Sequence, residues 1–235
     1  MKNKEYCQIN YSSEMKDLYK FLNNLAANNN RDWFMAHKSE YDVLREVFEF
    51  MVQELIEAIS VFDETIKGVR AKDCLFRIYR DTRFTNDKTP YKKHFGAWIT
   101  RNGRKGEYPG YYLHIEPGNT LLAAGIWNPD PKLLKLIRKE IFDFIDDLEL
   151  IINESTFEDT FGHVQGSSLK TLPKGFPKDF ERPELLMLKD FFVEKDLSDD
   201  FFDENWIEKA SSILKTAYPF NKFLTPVVDE FCGVI

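Results

Sequence analysis

The chain has 235 residues, of which 43% are hydrophobic and 30% charged, and its formal net charge is −7. This composition is typical of a globular protein with a sizeable core, and the acidic total disfavours general binding to nucleic acid or membranes. No apolar run reaches the roughly 18 residues of a transmembrane helix, and the first residues contain no apolar signal segment. We therefore expect a cytoplasmic protein whose three widely spaced cysteines stay reduced.

The first 62 residues predict helices. Residues 13–27 carry leucine and phenylalanine at helical spacing, which indicates an amphipathic helix. Residues 32–62 continue this spacing over a longer stretch, which can be interrupted near residues 37–39. The apolar stripe along these helices is expected to lie in the core.

Beyond residue 63 the hydrophobic period changes from 3.6 to 2, which indicates strands. Residues 74–80 predict a strand with Phe76 and Ile78 on one face. Further strands are predicted at 95–100, 110–118 and 120–127, with the glycine-rich segment 101–110 as a hairpin connection. Short connections between neighbouring strands favour a largely antiparallel sheet.

The C-terminal half predicts helices again. A helix is expected from residue 129 to about 153, with prolines in its first turn, where they are tolerated. Residues 154–183 lack periodicity and predict a loop with short strands. Residues 204–232 have helical spacing but contain Pro219 and Pro226, which predicts two separate helices.

Together these elements predict an α+β fold in one domain over residues 1–235. A largely antiparallel central sheet, formed by residues 74–127, would be packed by the N-terminal and C-terminal helices. Residues 154–235 could form a C-terminal extension that packs on the same core.

The charge is unevenly distributed. Residues 67–106 contain twelve Lys or Arg and three Asp, a local charge of +9, so the remainder of the chain carries −16. A loop of thirteen residues, 81–93, lies inside this segment, and loops of that length are often functional. The candidate ligand-binding residues on or beside it are Arg77, Arg80, Asp81, Arg83, Lys88, Tyr91 and Lys92. Guanidinium groups bind phosphate and carboxylate in a bidentate manner, so this set predicts an anion site.

The same cations have two other interpretations. Asp81 and Asp87 could pair with them, so that an internal network of ion pairs anchors the loop. Alternatively, the charges could form a plain solvated surface.

A second candidate is the sequence around His114. Strand alternation places Tyr112, His114 and Glu116 on one face, and His114 with Glu116 form the candidate catalytic acid/base pair. A hydrogen-bonded structural pair is the alternative. His94 and His163 could add metal ligands only through folding, so no metal site is assigned and the cofactor stays unknown. Phosphate-loop, dinucleotide-binding, nucleophile-elbow and zinc-protease motifs are absent from the sequence.

Five stretches resemble a known family. They are NNNRDWFMAHKSEYD (28–42), FRIYRDTRFTNDKTPYKKHFG (76–96), GYYLHIEPG (110–118), AAGIWNPDP (123–131) and LKTLPKGF (169–176). Over most of the chain, the sequence is similar to a family of uncharacterised, mainly microbial proteins, domain of unknown function 2461. The resemblance implies no reaction, cofactor or catalytic residue. It marks the candidate residues above, together with Pro90, as motif positions.

The sequence thus predicts a protein that binds an anionic small molecule, such as a phosphorylated metabolite or nucleotide, in a basic pocket. His114 and Glu116 would serve as acid and base if chemistry occurs there; whether the protein is an enzyme is left open. One alternative is a non-enzymatic interaction module that docks nucleic acid or an acidic protein through the basic loop, nucleic acid being the less favoured partner. The other is a purely structural arginine network. No membrane partner is expected.

Overall fold

The computed structural model describes residues 10–83 and 85–234. Its helices are α1 (Tyr11–Ala27), α2 (Arg31–Ala36), α3 (Lys38–Ile59), α4 (Ala71–Cys74), α5 (Pro131–Asp143), α6 (Ile145–Ile152), α7 (Ser155–Phe161), α8 (Pro183–Met187) and α9 (Trp206–Phe231), with a 3-10 turn at Glu64–Ile66. Its strands are β1 (Phe95–Ile99), β2 (Arg101–Arg104), β3 (Gly110–Ile115), β4 (Thr120–Ile126) and β5 (Phe191–Leu197). The predicted α+β class is confirmed. No helix in this part of the chain is long and apolar enough to span a membrane.

The N-terminal helices form where the apolar spacing predicts them. Each of α1 and α3 buries one leucine- and phenylalanine-rich stripe, as an amphipathic helix packed on a core does. The break between α2 and α3 falls at His37, inside the expected interval. The Asn30 side chain accepts a hydrogen bond from the Trp33 N–H and caps α2.

Four strands form one antiparallel sheet in the order β1-β3-β4-β5. The predicted strands at 95–100, 110–118 and 120–127 correspond to β1, β3 and β4. Strand β5, which pairs with β4 along its whole length, was not predicted from the sequence. This partner lies about 70 residues away, so no local turn signal marks the pairing. The sheet therefore includes residues 191–197, which lie outside the predicted range of 74–127.

The two faces of the sheet have different surroundings. On one face Tyr111, Leu113, Leu122 and Val193 are fully buried, and α3 and α9 pack against the sheet. The other face follows a register in which Trp98 is opposite Tyr112, Tyr112 opposite Ala123, and Ala123 opposite Glu194. We call this second face the open face.

The predicted strand at 74–80 is wrong. Its first residue ends α4, and the rest forms only isolated bridges, Leu75 with Ala97 and Tyr79 with Tyr91. The burial period is three instead of two, since Leu75 and Ile78 are buried whereas Phe76 is 38% exposed. Hydrogen bonds to two different segments, at Gly96 O and Pro90 O, replace a continuous ladder.

The prediction of two C-terminal helices is also wrong, because α9 continues through both Pro219 and Pro226. A proline inside a helix costs about 3 kcal/mol or more. Burial of residues along the whole length of α9, among them Trp206, Leu214 and Leu224, outweighs that local cost. Tertiary packing thus overrides the local signal.

Two smaller differences concern the middle of the chain. The helix expected from residue 129 to about 153 begins two residues later, at Pro131, ends at Ile152, and is divided at Phe144 into α5 and α6. The segment 154–183, predicted as a loop, contains the short helix α7, whose first turn is capped by the Glu154 carboxylate.

Candidate functional site

A cavity of about 480 Å³ lies on the open face of the sheet. We call it the sheet-face cavity. Its lining residues come mainly from the strands and are Phe76, Trp98, Arg104, Gly106, Tyr112, Leu121, Ala123, Ala124, Trp127, Phe192 and Glu194. The lining is mostly aromatic and aliphatic with few charged groups, a composition found in small-molecule sites.

Tyr112, His114 and Glu116 share the open face, as strand alternation predicts, and form a chain of hydrogen bonds. His114 Nε2 donates to Glu116 Oε2 over 3.0 Å, because an ionised carboxylate can only accept. His114 Nδ1 then accepts from the Tyr112 hydroxyl, also over 3.0 Å. Burial alone would raise the pKa of Glu116, but hydrogen bonds from Asn119 and His114 outweigh it and lower that pKa.

Folding brings His94 to His114 and Glu116. Phe95 is opposite Ile115, so the register continued by one residue places His94 beside Glu116. The rings of His94 and His114 have centroids 4.2 Å apart. Burial, followed by the neighbouring His114 and Lys92, lowers the pKa of His94 to about 4, so this imidazole is neutral at neutral pH.

The basic loop residues divide into two groups, and the first is held within the loop itself. Arg80 pairs with Asp87 and also donates to Thr89, while Arg83 pairs with Asp81 at 2.7 Å. Lys88 donates to the Thr82 carbonyl over 2.8 Å. Hydrogen bonds from the Thr89 N–H and from Arg80 lower the pKa of Asp87 to about 2. This part of the candidate set, Arg80, Asp81, Arg83 and Lys88, forms ion pairs and hydrogen bonds that order the loop.

The second group lies toward the body of the protein. Lys92 Nζ lies 4.8 Å from the centroid of the Phe76 ring. Burial, followed by the positive charges of Arg77 and Arg104, lowers the pKa of Lys92. Tyr91 is 2% exposed and stacks on Phe34 with ring centroids 4.1 Å apart, so its ring anchors the end of the loop.

Asn29 forms hydrogen bonds with the same end of the loop, and we expect the loop to become more mobile when the Asn29 side chain is removed. The Asn29 side chain donates to Tyr91 O and accepts from Tyr91 N over 3.0 and 3.1 Å. Because Asn29→Ala removes both bonds, we expect the free energy of unfolding to fall by about 1–2 kcal/mol and proteolysis within residues 81–90 to accelerate. Urea unfolding and limited proteolysis measure these effects.

The matched control is Asn28→Ala, because Asn28 is an exposed neighbour whose side chain donates to the Asn24 carbonyl, within the same helix end. It should change the free energy of unfolding by less than about 0.5 kcal/mol. Equal proteolysis rates in the two variants would contradict the role of the Asn29 hydrogen bonds in holding the loop.

Two adjoining cavities, which share Lys72 and Arg104, form what we call the basic cleft. The first, of about 340 Å³, is lined in addition by Arg45, Arg77 and Tyr79, among other residues. The second has a volume of about 490 Å³, and its remaining cations are Lys67, Arg70, Arg101 and Lys105. Of the candidate ligand-binding residues, only Arg77 lines this cleft.

The cations of the basic cleft differ in their partners. Four of them form ion pairs: Lys38 with Asp42, Lys67 with Glu64, Arg70 with Asp73, and Arg101 with Asp229. Within residues 10–83 and 85–234, no carboxylate forms an ion pair with the following five cleft cations: Arg45, Lys72, Arg77, Arg104 and Lys105. All five are exposed, so a ligand can reach them.

Sequence reasoning missed Arg45, Lys72 and Arg104 as candidate residues. A signal existed for Lys72 and Arg104, since both lie within the segment of local charge +9. Arg45 carried no signal, because an arginine on the exposed side of an amphipathic helix is ordinary. Only folding brings α3 beside residues 72–77.

Comparison with protein families matches residues 17–223 to the family described as conserved hypothetical protein (DUF2461). The match covers most of the chain, so the chain belongs to this family and the resemblance found in the sequence is confirmed. Neither the curated proteins nor the solved structures contain a match.

Proposed function

We propose that this member of the DUF2461 family binds an anionic small molecule, one that bears a phosphate or carboxylate group, in the basic cleft. One observation carries the proposal: Lys72 and Arg104 stand at the junction of two concave basic cavities, and neither forms an ion pair with a carboxylate of the described residues. Like charges that face one another repel, and a bound anion relieves that repulsion.

The chemistry of the cleft favours phosphate or carboxylate over other anions. Arg77 and Arg104 each present a planar fork of N–H donors that matches two oxygens of such a group. Lys72 contributes a mobile point charge beside them. Arg104 also donates to the Leu75 carbonyl over 3.2 Å, which helps to orient its guanidinium group.

The sheet-face cavity indicates what else the ligand carries. Phe76 and Arg104 line both this cavity and the basic cleft, so the two spaces adjoin. An anionic group at Arg104 would allow an aromatic or apolar body to lie against Trp98 and Tyr112. A nucleotide or another phosphorylated molecule with a flat ring has this combination.

The first test is titration calorimetry of the full chain with inorganic pyrophosphate and with a nucleoside monophosphate. We expect Arg104→Gln and Lys72→Gln each to weaken binding about tenfold or more, because each removes a charge-assisted hydrogen bond worth about 1.5–3 kcal/mol. Arg83→Gln is the matched control, since it removes the same charge from the same basic segment but lines neither the cleft nor the sheet-face cavity. Its affinity should equal that of the wild type.

Two outcomes would count against the proposal. One is the absence of heat with every phosphate-bearing probe. The other is an equal loss of affinity in Arg83→Gln and Arg104→Gln, which would indicate general electrostatics instead of a site.

The rival function is docking of nucleic acid or an acidic protein through the basic surface. A small ligand contacts few phosphates, whereas nucleic acid contacts many, so the two differ in how steeply affinity falls with salt. For pyrophosphate we expect a shallow dependence. Tight binding of an oligonucleotide with a steep salt slope, in the absence of pyrophosphate binding, would favour the rival.

A further inference from the structure

His94, His114 and Glu116 form a cluster of metal-binding donor groups at one end of the open face. One ligand atom from each of the three residues lies within 4.8 Å of the other two. We propose that these three side chains bind a single divalent transition-metal ion. This proposal is independent of the basic cleft, because none of its lining residues belongs to the cluster.

The spacing suits one ion. Zinc bonds to nitrogen and oxygen are about 2.0–2.2 Å long, which in a tetrahedral site places neighbouring ligand atoms about 3.3–3.6 Å apart. His114 Nε2 and Glu116 Oε2, at 3.0 Å, would separate by a few tenths of an ångström to admit the ion. The ligand atoms of the three residues lie within 4.8 Å of one another, so a shift of the His94 ring by about 1.5 Å would complete the set.

The outer partners of the cluster are those expected around metal ligands. The Tyr112 hydroxyl lies 3.0 Å from His114 Nδ1, and Asn119 donates to Glu116 Oε2 over 3.0 Å. Metal at His114 Nε2 would move the ring proton to Nδ1, where the Tyr112 oxygen can accept it. Such partners fix the tautomer and orientation of a ligating imidazole.

Gly96 makes room for this arrangement. It lies opposite His114 in the sheet, and a Cβ atom at that position would stand 2.7 Å from the Tyr112 hydroxyl. A side chain there would displace the hydroxyl from its contact with His114.

The imidazole of His94 has no hydrogen-bond partner in the described part of the chain. Its side chain is half-buried, yet among residues 10–83 and 85–234 no hydrogen bond engages either ring nitrogen. Its ring packs against that of His114 instead. A metal ion shared by the two imidazoles would satisfy a nitrogen of each ring.

The donor set selects the type of ion. Two imidazoles and one carboxylate suit Zn²⁺ or Fe²⁺, whereas Mg²⁺ and Ca²⁺ prefer sets of oxygen ligands. Three protein ligands leave at least one coordination position for water or substrate. The Glu116 side chain is 27% exposed, so solvent reaches the cluster, and the Tyr112 ring connects it to the sheet-face cavity.

The test uses full-length protein freed of metal with a chelator, titrated with ZnCl₂ by calorimetry and with Co²⁺ by visible absorption. We expect one ion per chain and the visible bands of cobalt bound to nitrogen. His94→Ala, His114→Ala and Glu116→Gln should each weaken zinc binding more than about 100-fold, and Tyr112→Phe and Gly96→Ala about tenfold. His163→Ala is the control, since this exposed histidine lies outside the cluster, and should bind zinc like the wild type.

Thermal unfolding of each variant without metal shows whether that variant is folded. If an alanine variant does not fold, Glu116→Gln is the decisive variant, because glutamine keeps the shape of the glutamate side chain. Zinc binding that survives in Glu116→Gln at wild-type affinity would overturn the proposal. The same holds if the wild type binds no zinc, or if Mg²⁺ competes with zinc on equal terms. Failure of this test leaves the pyrophosphate titration unaffected, since Lys72 and Arg104 take no part in metal binding.

Discussion

Gly125→Ala is expected to lower the free energy of unfolding by about 3 kcal/mol or more. Gly125 lies in β4 opposite Phe192 of β5 and has a φ of +130°. Residues that carry a side chain rarely adopt this backbone conformation. An added Cβ would stand 2.2 Å from Phe191 O and 2.6 Å from Phe192 Cα. These are backbone atoms, so the strands must separate, and the wall of the sheet-face cavity formed by β5 would move. Urea denaturation measures the effect.

Gly118→Ala is the matched control for this variant. Gly118 also has a positive φ, of +71°, but apart from its two chain neighbours no described residue has an atom within 4 Å of the added Cβ. The cost is therefore only that of the left-handed backbone conformation, about 1 kcal/mol. If the two variants lost equal stability, the close approach of β5 to Gly125 could not be the cause.

Phe34→Ala is expected to lower the free energy of unfolding by about 3–5 kcal/mol, the usual range for removal of a buried phenylalanine. Phe34 is fully buried and packs against Tyr41 and Tyr91, with ring centroids 5.2 and 4.1 Å away. Because Tyr91 anchors the basic loop, we also expect faster hydrogen exchange at residues 79–92. Denaturation and hydrogen exchange with mass spectrometry provide the two measurements.

Met35→Ala serves as the comparison for Phe34, because Met35 is its neighbour in α2 and is 54% exposed. A change of less than about 0.5 kcal/mol is expected there. Normal exchange at residues 79–92 in a Phe34→Ala protein that remains folded would mean that the loop is held by other contacts.

The N-terminal helices and three strands of the sheet could be predicted because their signals are local. The apolar stripes of α1 and α3 repeat every three to four residues, and the alternation in β3 places His114 and Glu116 on one face. The failures have a common cause. β5 depends on a partner about 70 residues away, and α9 continues through Pro219 because it is buried on both sides of that proline.

For the candidate site, the sequence determined the chemical inventory: an excess of positive charge in residues 67–106, and an imidazole two residues from a carboxylate on a strand. Composition and strand alternation are enough for both. Which of these groups come into contact depends on the three-dimensional fold. In the folded chain, Arg80 and Arg83 form ion pairs within the loop. Arg45 of α3 lines the same cavity as Lys72 and Arg104. The register of β1 and β3 brings His94 to His114. Such meetings depend on contacts between distant segments, whose stability comes from the burial of a shared core, and no local pattern encodes them.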